Sequence, residues 1–212
     1  MRLVGCVNLY QDAEFIRRFL PVLREKVDFL VCVDGAYEGF PQYDAAHSTD
    51  GSLDVVSQYA DLLVQAPRGP FGESRPWENE IVKRSAYLVG KPDDWYFVVD
   101  ADECLTGTPD RDVIASRTDW LVELQRVNDT IGPYGIHRCF AHRPGIRYSG
   151  THHAVHVFGE IIHPERIPKD FLPGVRLDHY QMSRDQDRVE RKGVYYRALA
   201  EAEGPFRKEN GL

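Results

Sequence analysis

The chain has 212 residues, 42% hydrophobic and 28% charged, with 33 acidic against 26 basic side chains and a formal net charge of −7. That length suits one α/β domain with a sizeable core, and the composition argues against a disordered or membrane-spanning chain. The acidic balance argues against a protein that grips nucleic acid through its overall field. Cys6, Cys32, Cys104 and Cys139 lie far apart with no C-x-x-C pair, so reduced thiols and a cytoplasmic location are expected rather than a zinc knuckle or disulfide scaffold.

In chain order, Arg2 to Asn8 reads as a buried strand. Phe15, Ile16, Phe19, Leu20 and Leu23 then recur at helical spacing, with Asp12 placed to cap the start. Phe29 to Val33 is a second apolar strand ending at Asp34-Gly35, Ser52 to Tyr59 a short helix, and Asp61 to Gln65 a third strand. Ser74 is placed to cap a further helix, with Pro76 in its first turn, Ile81, Ser85 and Leu88 on one stripe and Gly90 closing it. Trp95 to Val99 is a fourth strand, and it delivers Asp100.

Non-alternating apolar strands separated by helices predict a Rossmann-like, mostly parallel sheet with helices on both faces. Ligands of such sheets sit at the carboxyl ends of the strands. Here those ends carry Asn8-Leu9-Tyr10, Asp34-Gly35, Gln65-Ala66-Pro67 and Asp100-Ala101-Asp102. Thr118 to Val127 and Tyr134 to Phe140 predict antiparallel additions in the C-terminal half. Arg184 to Glu203 predicts a closing helix with Val189, Tyr196, Leu199 and Ala200 inward. Basic residues collect in this second half, where a local basic face suits an anionic acceptor or simply a solvated surface. With no repeat and no low-complexity linker, residues 1–212 are expected to form one domain.

Asp100-Ala101-Asp102-Glu103 crowds three carboxylates into one turn directly after an apolar strand. Carboxylates so close repel one another unless donors or a cation intervene, and a hard divalent ion completed by phosphate oxygens relieves that repulsion. An acidic turn capping a helix has the same sequence. His152, His153 and His156 form the other conspicuous cluster, with no cysteine or carboxylate nearby in sequence to complete a tetrahedral zinc site.

Four stretches, Val7 to Phe15, Phe29 to Asp34, Ser48-Thr49-Asp50-Gly51-Ser52 and Trp95 to Glu103, together resemble glycosyltransferase family 2 of the GT-A fold. The third is similar to that family's S-T-D-G-T signature, the fourth to its D-x-D strand in the D-A-D-E form. Arg143 to His153 resembles the family stretch R-P-G-x-x-[YW]-x-G-x-x-H-E, with Ala154 in place of the glutamate. The segment from Gly35 to His47, with Tyr37, Phe40 and Tyr43, intervenes before the S-T-D-G-S stretch and departs from the family; a lid or part of an acceptor site is expected there.

The resemblance implies an inverting, metal-dependent transferase. It would move a sugar from a nucleotide-diphospho-sugar, a UDP-sugar first, to a hydroxyl acceptor, with Mn²⁺ or Mg²⁺ as cofactor. Residues 1–105 would form the donor half and 106–212 the acceptor half. Asn8, Tyr10, Asp34 and Gly35 would meet the nucleotide, and Arg84, rather than Lys83 on a solvated helix face, would reach toward it. Asp102 would ligate the metal directly, Asp100 would combine ribose contact with indirect metal support, and His179 and His153 would be further metal candidates. Glu160, following the histidine strand, is preferred over Asp119 and Glu123 as the general base. The acceptor would be a glycan or a modified nucleobase in DNA. A nucleotidyltransferase or metal-dependent phosphohydrolase is the second enzyme reading, although Asn8 to Asp12 lacks a Gly-rich, Lys-containing loop. Ala154 and the missing diagnostic base also suit a non-catalytic GT-A-like binding module.

Overall fold

The computed structural model describes residues 1–39, 45–128, 133–149, 154–157, 160–161, 171–180 and 186–209. The elements in chain order are β1 (Leu3–Leu9), α1 (Ala13–Arg24), β2 (Phe29–Asp34), α2 (Ser52–Tyr59), β3 (Leu62–Gln65), α3 (Glu80–Ser85), β4 (Trp95–Asp100), β5 (Glu103–Gly107), α4 (Arg111–Ala115), β6 (Leu121–Asn128), β7 (Tyr134–Ala141), β8 (Arg147–Ser149), β9 (Ala154–Val157), β10 (Glu160–Ile161), β11 (Phe171–His179) and α5 (Gln186–Glu209). Eight strands form one sheet in the order β3-β2-β1-β4-β7-β6-β11-β5, and β8, β9 and β10 form a small antiparallel sheet.

β1, β2, β3 and β4 are mutually parallel, β7 is antiparallel to both β4 and β6, and β11 runs parallel to β6 and antiparallel to β5. Six strands therefore share one direction, and β7 and β5 oppose it. The carboxyl ends of β1, β2, β4, β6 and β11 consequently lie along one edge. Residues 105 and 106 both fall inside β5, so the division between the expected donor and acceptor halves cuts a strand.

Alternation along the parallel strands divides the core between two faces. Leu3, Val7, Leu9, Leu30, Cys32, Phe97 and Val99 pack with Ile16, Leu20 and Leu23 of α1 and Val55 and Val56 of α2. On the other face Val4, Cys6, Val31, Val33, Tyr96 and Val98 pack with Trp77, Tyr87 and Tyr148, and with Ile81 of α3 and Tyr195 of α5. Helices thus cover both faces, as the apolar runs imply. All four cysteines are buried and free. Among the described residues, no helix is long and apolar enough to cross a membrane.

Several local expectations give way to tertiary contacts. Asp12 does not cap α1 with its own side chain, because its Oδ2 accepts the Tyr10 N–H at 2.9 Å. Asp50, from the S-T-D-G-S stretch, takes the Ala13 N–H at 2.8 Å and caps the helix from a distance. The third helix does not start at Ser74. Trp77 donates its backbone N–H to the Ala36 carbonyl and accepts from Glu38, which holds that stretch extended, and Asn79 becomes the cap by accepting the Val82 N–H at 2.9 Å. The helix also closes at Ser85, well before Gly90. β5, α4 and β11 are elements that the sequence pattern did not announce, and β6 starts at Leu121 rather than Thr118.

Candidate functional site

The register of the parallel strands sets the site. Asn8 stands beside Asp100 across β1 and β4, and Leu9 beside Asp34 across β1 and β2. Where these strands end, a cleft opens to solvent. Asn8, Tyr10, Gly35, Arg84, Asp100 and Asp102, six of the expected site residues, line it. Lys83, Arg188 and Lys192 line it too.

Gly35 has φ +122°, and a Cβ there would lie 2.8 Å from the Ala46 carbonyl oxygen, so glycine alone fits the turn. Its carbonyl accepts from Lys83 Nζ at 2.5 Å, and the Leu9 carbonyl accepts from the same nitrogen at 2.8 Å. Lys83 is 1% exposed rather than solvated, and it ties together the ends of β1 and β2. Burial pulls its pKa down to about 7 against the opposing pull of Asp34, Asp12 and Glu80.

Asp100 sits between two guanidiniums. Arg84 Nη1 lies 2.9 Å from Oδ1, and Arg138 Nη2 donates to Oδ2 at 2.6 Å. Burial alone would raise the Asp100 carboxyl, but Arg138 and Arg84 outweigh it and hold the group well below the usual carboxylate range. Arg84 is fixed in turn by Glu80 at 3.0 Å, and Glu80 accepts the Tyr196 hydroxyl at 2.7 Å. Glu103 is fully buried; one oxygen accepts the Asp100 N–H at 2.8 Å and the other lies 2.7 Å from Arg126 Nη2. Two of the three crowded carboxylates, Asp100 and Glu103, are therefore compensated by arginines from α3, β6 and β7. The sequence marks Arg138 only as one of the basic residues of the second half and does not single out Arg126, although an arginine beside Cys139-Phe140 in an apolar strand is itself a sign of a buried ion pair.

Asp102 has a different partner. His179, at the end of β11, places Nε2 3.3 Å from Asp102 Oδ2, and both side chains are nearly buried. No group of three His, Cys, Asp or Glu side chains among the described residues is arranged to hold a metal ion by itself. A carboxylate oxygen suits Mn²⁺ or Mg²⁺ when phosphate and water supply the remaining positions, and an imidazole beside it is better suited to Mn²⁺ than to the harder Mg²⁺. Asp100 does not suit direct ligation, because both of its oxygens face guanidiniums.

Asp34 turns away from the cleft. Its carboxylate is fully buried and accepts from Ser48 N at 3.1 Å, Ser48 Oγ at 2.5 Å and Gln65 Nε2 at 3.4 Å. Gln11 Oε1 accepts the N–H groups of Thr49 and Asp50, so the S-T-D-G-S stretch is fastened to the turn after β1. Tyr10 donates its hydroxyl to the Ala45 carbonyl at 2.7 Å. Of the remaining candidates, His153, with His152, Phe40 and Tyr43, lies outside the described residues. Glu160 opens β10, with its side chain outside the description, and Glu123 pairs with His137 at 3.2 Å.

No protein-family model matches the chain, and no curated protein matches it. Among solved structures, that of S. aureus TarS matches over 62% of this chain and 22% of its own, with 18% identity and a TM-score of 0.45. S. aureus TarS 1-349 matches over 62% and 37%, with 17% identity and a TM-score of 0.45. The same segment in complex with UDP-GlcNAc matches over 71% and 41%, with 16% identity and a TM-score of 0.46. The chain spans less than half the length of each of these structures, and the likeness is one of fold.

Proposed function

We propose that the chain is a GT-A glycosyltransferase of the family 2 type that transfers a sugar from a nucleotide-diphospho-sugar to a hydroxyl acceptor with inversion. The observation that carries this reading is the convergence of Asn8, Tyr10, Gly35, Arg84, Asp100 and Asp102 on one cleft at the carboxyl edge of a mostly parallel sheet. Tyr10 and Asn8 border the space for the nucleoside. Arg84, held by Asp100 and Glu80, borders the space for the diphosphate.

In the transfer, the acceptor oxygen bonds to the anomeric carbon as the bond from that carbon to the diphosphate oxygen breaks. The acceptor proton passes to a base, for which Glu160 is the candidate, and the nucleoside diphosphate leaves with the bonding electrons. Asp102 and His179 are the residues that would hold Mn²⁺ or Mg²⁺, which when bound supplies Lewis-acid stabilisation of the leaving group. Asp100 acts through Arg84 and Arg138 and supports the metal only indirectly. The acceptor is a hydroxyl on a glycan; binding to DNA that weakens with added salt would instead favour a nucleobase acceptor.

The test is a thermal-shift screen of UDP-, GDP-, CMP- and dTDP-sugars with and without Mn²⁺, beginning with UDP-GlcNAc. A donor that binds the native state raises the melting temperature. Asp102→Asn is expected to lose at least about tenfold in metal-dependent turnover. If no nucleotide-sugar stabilises the wild-type chain, the reading is wrong.

A further inference from the structure

One face of α5 is built from polar residues at one-turn spacing, Arg188, Lys192 and the pair Tyr195-Tyr196. Arg188 donates to the Gln11 carbonyl at 2.8 Å and the Tyr10 carbonyl at 2.6 Å, and lies 3.4 Å from Asp12. Two turns on, Tyr196 donates to Glu80, and the Tyr195 ring packs 5.4 Å from that of Tyr37. These contacts hold the helix across the cleft from the turn after β1 to α3.

Lys192 lies between them and lines the same cleft as Asp100 and Asp102. Four carboxylates (Asp12, Glu80, Asp100, Asp102) and four cationic side chains (Lys83, Arg84, Arg188, Lys192) share that lining. Three of the cations are committed: Arg84 to Glu80 and Asp100, Arg188 to Asp12 and two carbonyls, Lys83 to two carbonyls. Lys192 Nζ lies 5.6 Å from the centroid of the Tyr196 ring and, among the described residues, forms no ion pair. An anion entering a lining with that many carboxylates is repelled unless a cation turns toward it. An ammonium on a flexible four-carbon stem, with three donors to rotate, is suited to do so.

We propose that Lys192 contacts the diphosphate of a bound nucleoside diphosphate, so that α5, at the far end of the chain from the first three strands, supplies part of the donor site. This rests on the nucleotide-sugar reading of the cleft. It also gives the helix a binding role, because its cleft face is charged and aromatic where a merely covering helix would be apolar.

Titration calorimetry of the full chain with UDP and with uridine, at fixed Mn²⁺, tests the assignment on wild type, Lys192→Ala and Lys192→Arg. Lys192→Ala is expected to weaken UDP about tenfold while leaving uridine unchanged, and Lys192→Arg to recover most of the loss. Unchanged UDP affinity in Lys192→Ala overturns the proposal and leaves the nucleotide reading standing. An equal loss for UDP in both variants overturns it as well, since the effect then follows packing of the helix rather than charge. A wild-type chain that binds none of UDP, GDP and dTDP overturns both.

Discussion

The two halves of the large sheet contribute to the cleft in different ways. In the parallel half, β3-β2-β1-β4, neighbouring strands end together, and the polar residues just beyond the apolar runs are delivered to one edge by backbone direction alone. In the other half, β7-β6-β11-β5, directions are mixed, and the contribution comes from single side chains: Arg138 within β7, Arg126 late in β6 and His179 at the end of β11. The parallel half makes the space, and the mixed half supplies partners to the acidic residues Asp100, Asp102 and Glu103 at its edge. A shape and an electrostatic environment can thus be supplied by separate parts of one sheet, and either can be altered with limited effect on the other.

Arg138→Met strikes the mixed half hardest. It removes one guanidinium from the nearly buried Asp100 and the longer-range partner of Glu103, and breaking such a pair typically costs about 3–5 kcal/mol. Denaturant unfolding should show most of that loss. In a double-mutant cycle with Asp100→Asn, the second substitution should cost less in the Arg138→Met background than alone. A cost within the range of a surface change would mean that Asp100 does not depend on the partner that the mixed half supplies.

The parallel half is probed by Asp50→Ala, which removes the remote cap of α1 and should cost about 1 kcal/mol with little change at the Asp100 cluster. Equal sensitivity of ligand binding to this change and to Arg138→Met would erase the distinction between the halves.

A pH trend is also expected from Lys83. Its folded pKa of about 7 lies below the ordinary lysine value, so between those two values the unfolded chain binds more protons than the folded one. Stability should therefore rise as pH increases from about 7 toward 8.5, and Lys83→Met should flatten that slope. A steeper slope in the variant would show that the ammonium is well accommodated between the two carbonyls.

This contrast also explains what could be read from the chain. Strands buried on both faces are continuous apolar runs, so β1, β2 and β4 and the residues after them, Asn8, Tyr10, Gly35, Asp100 and Asp102, stand out from local sequence. β11 interrupts its pattern with Pro173-Gly174 and alternates exposed and buried positions, and β5 begins with Glu103, which looks like the end of an acidic turn. Both become strands through pairing with partners distant in sequence. Asp34 is legible as a strand end but not as the anchor of Ser48, fourteen positions on, because that bond depends on how the intervening segment closes. Arg188 and Lys192 are legible as part of a basic second half but not as cleft residues, for a similar reason. A polar stripe on a helix is indistinguishable from a solvated face until the helix has a place to dock.

The Ala36 N–H donates to the Ala46 carbonyl at 2.9 Å, and Asp34 grips Ser48 just beyond it. The stretch between Ala36 and Ala46 therefore leaves and re-enters the fold at one point, beside the mouth of the cleft. Lengthening such a closed excursion is cheap, about 0.6 kcal/mol for each doubling, because only the entropy of bringing its ends together changes. A lineage carrying this fold could change the length of chain between these two points while the sheet edge that carries Asn8, Asp34 and Asp100 stays as it is.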